Sequence, residues 1–186
     1  MMTERMSPQA EVIAAQAGNG PEPLEWEQVR EAFAAERWYW VATAGANLHP
    51  HLRPVLAVWA DGCVYSTTSA AARKGRDLEA NPSCSLAARA PALDIVIEGT
   101  VRWVNQQDVL EQVAAAYRAK YGWPVTVTAQ NAFDAPYGAP TAGLPPYLVY
   151  DIVPATVYAF GTGDDLGQRS TRFRFRTPAA DDGAGK

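Results

Sequence analysis

The feature that most limits the possible folds is a series of short strand-like segments joined by connections of hairpin length. RWYWVATA, LHPHLRPVLAVW and CVYSTT follow one another between residues 37 and 68, and all three are rich in β-branched and aromatic residues. Asp61-Gly62, which joins the last two, is a strong hairpin signal. Connections this short exclude the crossovers that parallel strands need. The pattern therefore predicts a mainly β fold with some α, an antiparallel barrel of about eight strands with about three helices.

Five later runs complete the predicted strands: SCSLAARA (83–90), LDIVIEGTVRWV (93–104), YLVYDIV (147–153), TVYAFG (156–161) and STRFRF (170–175). Pro50 and Pro54 indicate that the second strand, 48–59, lies at an edge or contains an irregularity, because proline cannot donate to a ladder. Gly99 in the fifth strand indicates a bulge or a close backbone approach.

Helices are predicted where apolar residues recur at helical spacing. The first covers residues 25–36. The second runs from Ala70 to Ala80, with Ser69 as its N-cap and Asn81-Pro82 at its end. The third begins after Asn105, which we expect to cap it with Asp108 in a capping box, and it ends at Gly122.

Composition indicates one globular domain with two tails. We assign residues 1–22 to a flexible tail with a short helix at 10–17, residues 23–178 to the folded domain and 179–186 to a disordered tail. The loop at 122–146 is long enough to be functional or to cover another part of the protein. This loop and the aromatic residues Trp123, Tyr137 and Tyr147 are candidates to roof a substrate pocket.

Charge and cysteine content exclude several functions. The formal net charge of −4 argues against nucleic-acid binding. No run approaches the roughly 20 apolar residues of a membrane helix, and no secretory signal is present, so we expect a cytoplasmic protein with no membrane partner. Two separated cysteines fit no metal motif, and His49 and His51 lack a third ligand nearby. We therefore predict no metal and interpret both histidines as surface or rim residues.

The segment STTSAAARKGRDLEANP, residues 66–82, has two interpretations. Its helix start combines free backbone N–H groups and a favourable dipole with hydroxyls and the adjacent cations Arg73 and Lys74, which together can bind a phosphate. The alternative is a solvated helix in which Arg73 pairs with Asp77 at i,i+4. The last strand poses a similar choice, because Arg172 and Arg174 share one face and can either meet solvent or reach an anion.

Taken in order, these segments resemble the pyridoxamine 5′-phosphate oxidase-like family of split β-barrel flavoproteins. The resemblance covers about residues 26–175 and is carried by YWVATAGANLHPHLRPVLAVW, DGCVYSTTSAAARKGRDLEANP, DIVIEGTVRWV, YGAPTAGLPPY and STRFRF. It implies an FMN-binding split barrel, a homodimer with two cofactor sites at the subunit interface, and a cofactor that is either FMN or the deazaflavin F420.

The resemblance also implies roles for particular residues. The strand Arg53, Pro54, Val55 and Leu56 would meet the flavin ring. Ser66, Thr67 and Thr68 would approach the phosphate side of the cofactor, and Arg73 with Lys74 would grip the phosphate. Arg172 and Arg174 would reach a site from the second subunit.

Two departures from the family narrow the expected activity. Val58 stands where true pyridoxamine phosphate oxidases have a lysine, and Thr171-Arg172-Phe173-Arg174 replaces their Arg-x-His signature. Oxidation of vitamin B6 is therefore not expected. Ala70, Ala71 and Ala72 precede Arg73 where F420 users often hold another basic residue, which favours FMN and leaves F420 open.

The expected function is hydride transfer by a flavin- or F420-dependent oxidoreductase to or from a small conjugated substrate. The cofactor would supply the chemistry and the protein would bind and orient it. No catalytic acid or base is evident, so the catalytic residues stay unknown. The alternative is a protein of the same fold that stores a flavin or binds haem without turnover.

Overall fold

The computed structural model describes residues 8–13, 22–138, 143–162, 166 and 169–175. Within these ranges the chain forms three helices and an 11-stranded sheet. The elements are, in chain order, β1 (Gln9–Val12), α1 (Trp26–Ala35), β2 (Tyr39–Ala44), β3 (Pro50–Val55), β4 (Ala57–Ala60), β5 (Cys63–Ser69), α2 (Arg73–Ala80), β6 (Ser83–Ala90), β7 (Leu93–Val104), α3 (Gln107–Tyr121), β8 (Thr126–Val127), β9 (Phe133–Asp134), β10 (Tyr147–Gly161) and β11 (Ser170–Arg174).

The strands pair antiparallel throughout the described part of the chain. The main path runs β1-β11-β10-β7-β6-β2-β3, while β4 pairs with β5, β5 pairs with β10, and the short β8–β9 hairpin joins β10 through β9. The two ends of the path, β1 and β3, do not pair within the described ranges, so the sheet stays open. This arrangement is a split barrel and confirms the predicted fold class. It also confirms that the strand with Pro50 and Pro54 lies at an edge.

β10 is the strand on which the barrel divides. β7 pairs along one side of it, while β5 pairs with residues 147–152 and β11 with residues 156–160 on the other side. The pairing with β7 shifts register between Pro154 and Thr156, opposite Gly99. A Cβ at Gly99 would lie 2.1 Å from the carbonyl oxygen of Val153, which confirms the predicted close approach. Pro154 is paired with Gly99, and Ala155 is the extra residue of the bulge, so the strand continues past the proline and the two strands predicted here are one.

Several predicted boundaries are wrong for identifiable reasons. The predicted second strand is divided at Leu56 into β3 and β4, which have different partners. Residues 9–12, assigned to a flexible tail and partly to a helix at 10–17, form β1 against β11, and residues 14–17 lie outside the described residues. Pairing with an available edge strand outweighs the helix propensity of the alanines here. The division into domain and tails otherwise stays a prediction.

The predicted caps of two helices are also wrong. α2 begins at Arg73, and its N-cap is Ala72. Ser69 instead begins a turn, in which its carbonyl oxygen accepts the N–H of Ala72 at 3.0 Å. α3 begins one residue later than expected, with Gln106 as N-cap and no capping hydrogen bond from a side chain. Gly122 ends α3 at φ +66, as predicted.

Two apolar clusters fill the barrel. α1 buries Val29 and Phe33 against one of them, and α3 buries Leu110, Val113 and Tyr117 against the other. Each fully buried side chain of this size contributes roughly 1.5–3 kcal/mol. Among the described helices, none is long and apolar enough to cross a membrane.

Candidate anion-binding site

The junction between β5 and α2 brings most of the predicted phosphate-binding residues together. Ser66, Thr67 and Thr68 form the buried second half of β5, and a turn over residues 69–72 leads directly into the first turn of α2. Ala72 supplies no side-chain acceptor to that first turn, so capping does not compete with a ligand there. A Cβ at Gly75 would lie 2.5 Å from the carbonyl oxygen of Ser69, so glycine allows the helix to sit against the turn.

Lys74 is the most unusual residue of this junction. Its side chain is 4% exposed, and its Nζ donates to the carbonyl oxygen of Thr67 at 2.7 Å and lies 5.8 Å from the ring centroid of Tyr150. No carboxylate in the described ranges forms an ion pair with it. Burial lowers the pKa of Lys74 from its ordinary 10.5 to about 7. The interpretation of α2 as a merely solvated helix is therefore wrong for Lys74.

A comparison with Lys120 shows how incompletely Lys74 is paired. An ammonium group has three N–H donors. Lys120 Nζ uses them on the carbonyl oxygens of Ala34 and Ala57 and on the hydroxyl of Tyr39. Lys74 Nζ makes one hydrogen bond to the residues that the structure describes. It therefore has free donors for a further acceptor, and an anionic acceptor there would favour its charged form.

Asp77 links α2 to the neighbouring strands β2 and β3. Its Oδ2 accepts the hydroxyl of Thr43 at 3.1 Å, and it lies 3.7 Å from Nε of Arg73 and 3.7 Å from Nδ1 of His51. A Cβ at Gly45 would lie 2.6 Å from Asp77 Oδ1, so the glycine in the β2–β3 turn leaves room for this carboxylate. The i,i+4 pair of Arg73 and Asp77 is present, but Asp77 is buried and Arg73 is half exposed. The guanidinium can therefore turn toward a ligand while its partner stays fixed.

His51 is not the surface or rim residue that the sequence indicated. It is 9% exposed, and its buried Nδ1 has no hydrogen-bond partner, whereas His49 lies before β3 and is exposed. Burial, the largest effect, lowers the pKa of His51, and the charges of Arg53, Arg73 and Lys74 lower it further, while Asp77 raises it. The three predicted cations therefore converge on one histidine.

The strand predicted to meet a flavin ring lies beside this cluster. Arg53 is exposed on β3, Pro54 is half-buried, and Val55 is buried. β3 pairs with β2 along one side, and among the described strands none pairs along its other side. Leu56 is connected to both β5 and α3. Its carbonyl oxygen accepts the hydroxyl of Ser66 on β5 at 2.9 Å and the hydroxyl of Tyr117 on α3 at 3.0 Å.

Arg172 and Arg174 lie far from this junction within one chain. Both approach Glu11 of β1, with Oε2 at 2.7 Å from Arg172 Nη2 and 3.7 Å from Arg174 Nε. Arg172 is opposite Tyr158 on β10, whereas Thr67 is opposite Val149. Nine residues of strand span about 30 Å. A role for these arginines at the site therefore requires a second subunit, and it stays a prediction.

The predicted aromatic roof is mostly buried, and the cavity of the structure is formed by residues other than the predicted site residues. Trp123 and Tyr147 are buried in the core cluster under α3, so only Tyr137, which is 55% exposed, is free to roof a pocket. A cavity of about 120 Å³ is lined by Trp26, Trp59 and the ion pair of Arg102 with Asp151, and no predicted site residue lines it. No group of three potential metal ligands occurs in the described part of the chain.

Sequence reasoning missed Thr43, His51 and Asp77 as members of one cluster. Thr43 and Asp77 are 34 positions apart and lie on a strand and a helix. Only the pairing of Thr43 with His51 across β2 and β3 places both under α2. The Arg73–Asp77 spacing was the one local signal available.

The comparisons with known proteins assign the fold family. The family model described as pyridoxamine 5′-phosphate oxidase matches residues 26–160, which is most of the chain. The chain belongs to this family, and within it to the split-barrel architecture described above. No curated protein sequence matches the chain.

Solved structures show the same fold at low sequence identity. A conserved hypothetical protein from Mycobacterium tuberculosis is 17% identical, with a TM-score of 0.60 over 80% of this chain and 90% of that one. A heme binding protein from Mycobacterium smegmatis is 16% identical, with a TM-score of 0.60 over 83% of this chain and 59% of the other. A FAD-binding protein from Mesorhizobium loti is 14% identical, with a TM-score of 0.53 over 91% and 99%.

Proposed function

We propose that the protein is an oxidoreductase that binds FMN, or F420 in its place, and moves hydride to or from a small conjugated substrate. The observation that carries the proposal is the buried, incompletely paired Lys74 beside Arg73 at the uncapped start of α2. Burying a lysine without a carboxylate destabilises a fold, so its presence is most easily explained by an anionic ligand.

The described residues fit the two ends of such a cofactor. The first turn of α2 with Arg73 and Lys74 provides donors for a phosphate, and charge-assisted hydrogen bonds of this kind are the strong ones. The open side of β3, from Arg53 to Leu56, provides backbone groups for the edge of a polar ring. Ser66 and Leu56 connect these two parts through their hydrogen bond of 2.9 Å.

The mechanism assigns binding and orientation to this chain. A bound flavin or deazaflavin supplies the hydride chemistry. Lys74 and Arg73 hold the phosphate, Asp77 keeps the Arg73 guanidinium near it, and Gly75 sets the helix close against β5. The backbone of β3 would hold the edge of the ring and thereby orient it toward a substrate.

The site is expected to be completed by a second copy of the chain. Trp38, Trp40 and Leu52 are 64%, 49% and 54% exposed, and Trp40 and Leu52 lie on the same outer face of β2 and β3. Exposed aromatic and aliphatic side chains grouped in this way are typical of interfaces. The face adjoins Arg53 and Pro54, so a homodimer formed here would border the cofactor site.

Binding without turnover is the second candidate. It is favoured by the structural similarity to a heme binding protein and by the absence of an exposed acid or base among the predicted cofactor residues. In that case the site would sequester a flavin or haem, and no substrate would be reduced.

Titration separates the candidates. The purified protein is mixed with FMN, F420 and haem in turn, and visible absorption and fluorescence quenching report binding. We expect FMN or F420 to bind at micromolar concentrations or below and to be reduced by NAD(P)H or another donor and reoxidised by an acceptor. Binding of a flavin with no redox turnover would favour storage, and failure to bind either flavin would overturn the proposal.

A further inference from the structure

The environment of His51 carries an inference beyond cofactor binding. His51 lies on β3 at 9% exposure, its Nδ1 has no hydrogen-bond partner, and Asp77 Oδ2 lies 3.7 Å from it. An unpaired buried nitrogen is uncommon, because it costs about 1–3 kcal/mol of desolvation. The position therefore indicates that the protein has a second state in which Nδ1 makes a hydrogen bond.

We infer that His51, paired with Asp77, takes up one proton from solvent when an anionic ligand occupies the site. This inference rests on the proposed function, because it needs an anion at the cations of β3 and α2. In the resulting imidazolium both ring nitrogens carry a proton, and the Nδ1–H faces the Asp77 carboxylate.

The charged groups around His51 oppose its protonation in the ligand-free protein. On its own strand Arg53 lies two residues away, on the same side, and α2 contributes Arg73, Lys74 and Asp77. β2 contributes the neutral hydroxyl of Thr43, which holds Asp77. Burial and the positive groups Arg53, Arg73 and Lys74 together outweigh the one carboxylate, so in the ligand-free protein they lower the pKa of His51.

An anion on the same cations reverses this balance. A phosphate dianion cancels two of the positive charges, and the carboxylate of Asp77 then dominates the field at Nδ1. Protonated His51 in turn adds a positive charge beside the anion. Ligand affinity and proton affinity at His51 must therefore rise together by the same factor.

The chain offers a direct test because it contains two histidines. The imidazole carbon signals of His51 and His49 are followed by NMR from pH 5 to 8, first alone, then with saturating sulfate, then with FMN. Sulfate stays a dianion over this range, so any proton taken up belongs to the protein. We expect the His51 midpoint to rise by about one pH unit or more, equivalent to roughly tenfold tighter anion binding by the protonated form. The exposed His49 is the internal reference, and its signal should not respond to the anion.

Two variants and a proton count sharpen the result. His51→Gln should reduce the number of protons taken up on FMN binding, measured by calorimetry in buffers of different ionisation enthalpy, and Asp77→Asn should reduce the rise of the His51 midpoint. His49→Gln is the matched control and should behave as the wild type. The calorimetric difference isolates His51 from Lys74, which stays in both proteins.

The outcomes distinguish this inference from the proposed function. FMN binding with an unmoved His51 midpoint overturns the inference and leaves the proposed function standing. Sulfate raising the His51 midpoint without FMN binding supports the inference and counts against the proposed function. Binding of neither anion overturns the inference, and it overturns the proposed function when F420 also fails to bind.

Discussion

At Lys74 the requirements of stability and of ligand binding conflict. Its ammonium is withdrawn from water and held by one carbonyl, that of Thr67. The folded state therefore binds a proton at Lys74 less readily than the unfolded state does. Residues that destabilise a fold in this way are characteristic of functional sites.

This conflict predicts a pH-dependent stability. Between the folded pKa of about 7 and the ordinary value of 10.5, the unfolded state carries more protons at Lys74, so the free energy of unfolding rises with pH in that window. Compared with Lys74→Met, the wild type should gain about 2–3 kcal/mol between pH 7 and 9.5, measured by urea unfolding of the ligand-free protein. Lys120 is present in both proteins and cancels. Parallel stability curves would contradict the account of Lys74.

At the scale of elements, the sequence predicted the strands better than their junctions. Runs of β-branched and aromatic residues correctly indicated β2, β5, β6, β7 and β11, because alternation and local propensity agree there. The junctions depend on contacts between distant segments. Ser69 was expected to cap α2, yet its hydroxyl accepts the N–H of Ala71 within the turn, at 3.3 Å.

The candidate site shows the same division. Arg73, Lys74 and the hydroxyls of β5 were recognisable because they are close in sequence and follow a strand. The cluster of Thr43, His51 and Asp77 was not, because only the register of β2 on β3 and the packing of α2 assemble it. Burial of Lys74 was equally hidden, since charged residues on a helix usually face water.

The β5–α2 junction yields a prediction at Gly75. An added methyl group would collide with the Ser69 carbonyl oxygen at 2.5 Å and approach Ala70 Cα at 3.3 Å, both backbone atoms. Gly75→Ala should therefore destabilise the protein by about 1–3 kcal/mol, although alanine is the better helix former. Glu79→Ala on the exposed side of the same helix is the control for denaturant unfolding. A stabilised Gly75→Ala variant would show that α2 does not pack tightly on the turn.

At the scale of the whole molecule, the open barrel leaves an apolar sheet face beside the strand that we propose to bind the cofactor ring. The outer face of β2 and β3 carries Trp40 and Leu52, and Arg53 lies between Leu52 and Pro54. A second copy covering this face would bury the aromatic side chain and enclose the cofactor strand. Within one chain Arg172 pairs with Glu11, and its role at the partner's site stays a prediction.

Charge introduced on this face should separate the subunits. Trp40→Glu and Leu52→Glu place a carboxylate where a neighbouring apolar surface is expected, and truncating an interface centre typically costs 2 kcal/mol or more. Light scattering after size exclusion should show a dimer for the wild type and a monomer for either variant, with weaker FMN binding. Leu144→Glu, at an exposed position outside the face, is the control. A wild-type monomer, or variants that stay dimeric, would refute this interface.

The central claim is that Lys74 binds the phosphate of the cofactor. Its most direct test is the dissociation constant of FMN, by fluorescence quenching, for the wild type, Lys74→Met and Arg89→Met, each with folding verified by circular dichroism. One lost charge-assisted bond is worth roughly 1.5–3 kcal/mol, so Lys74→Met should weaken binding by about 10- to 150-fold. Arg89→Met removes the same charge from a side chain that is 85% exposed near the end of β6, and it should leave affinity within about twofold, since screened surface charges contribute little. Equal affinities for Lys74→Met and Arg89→Met would contradict the account.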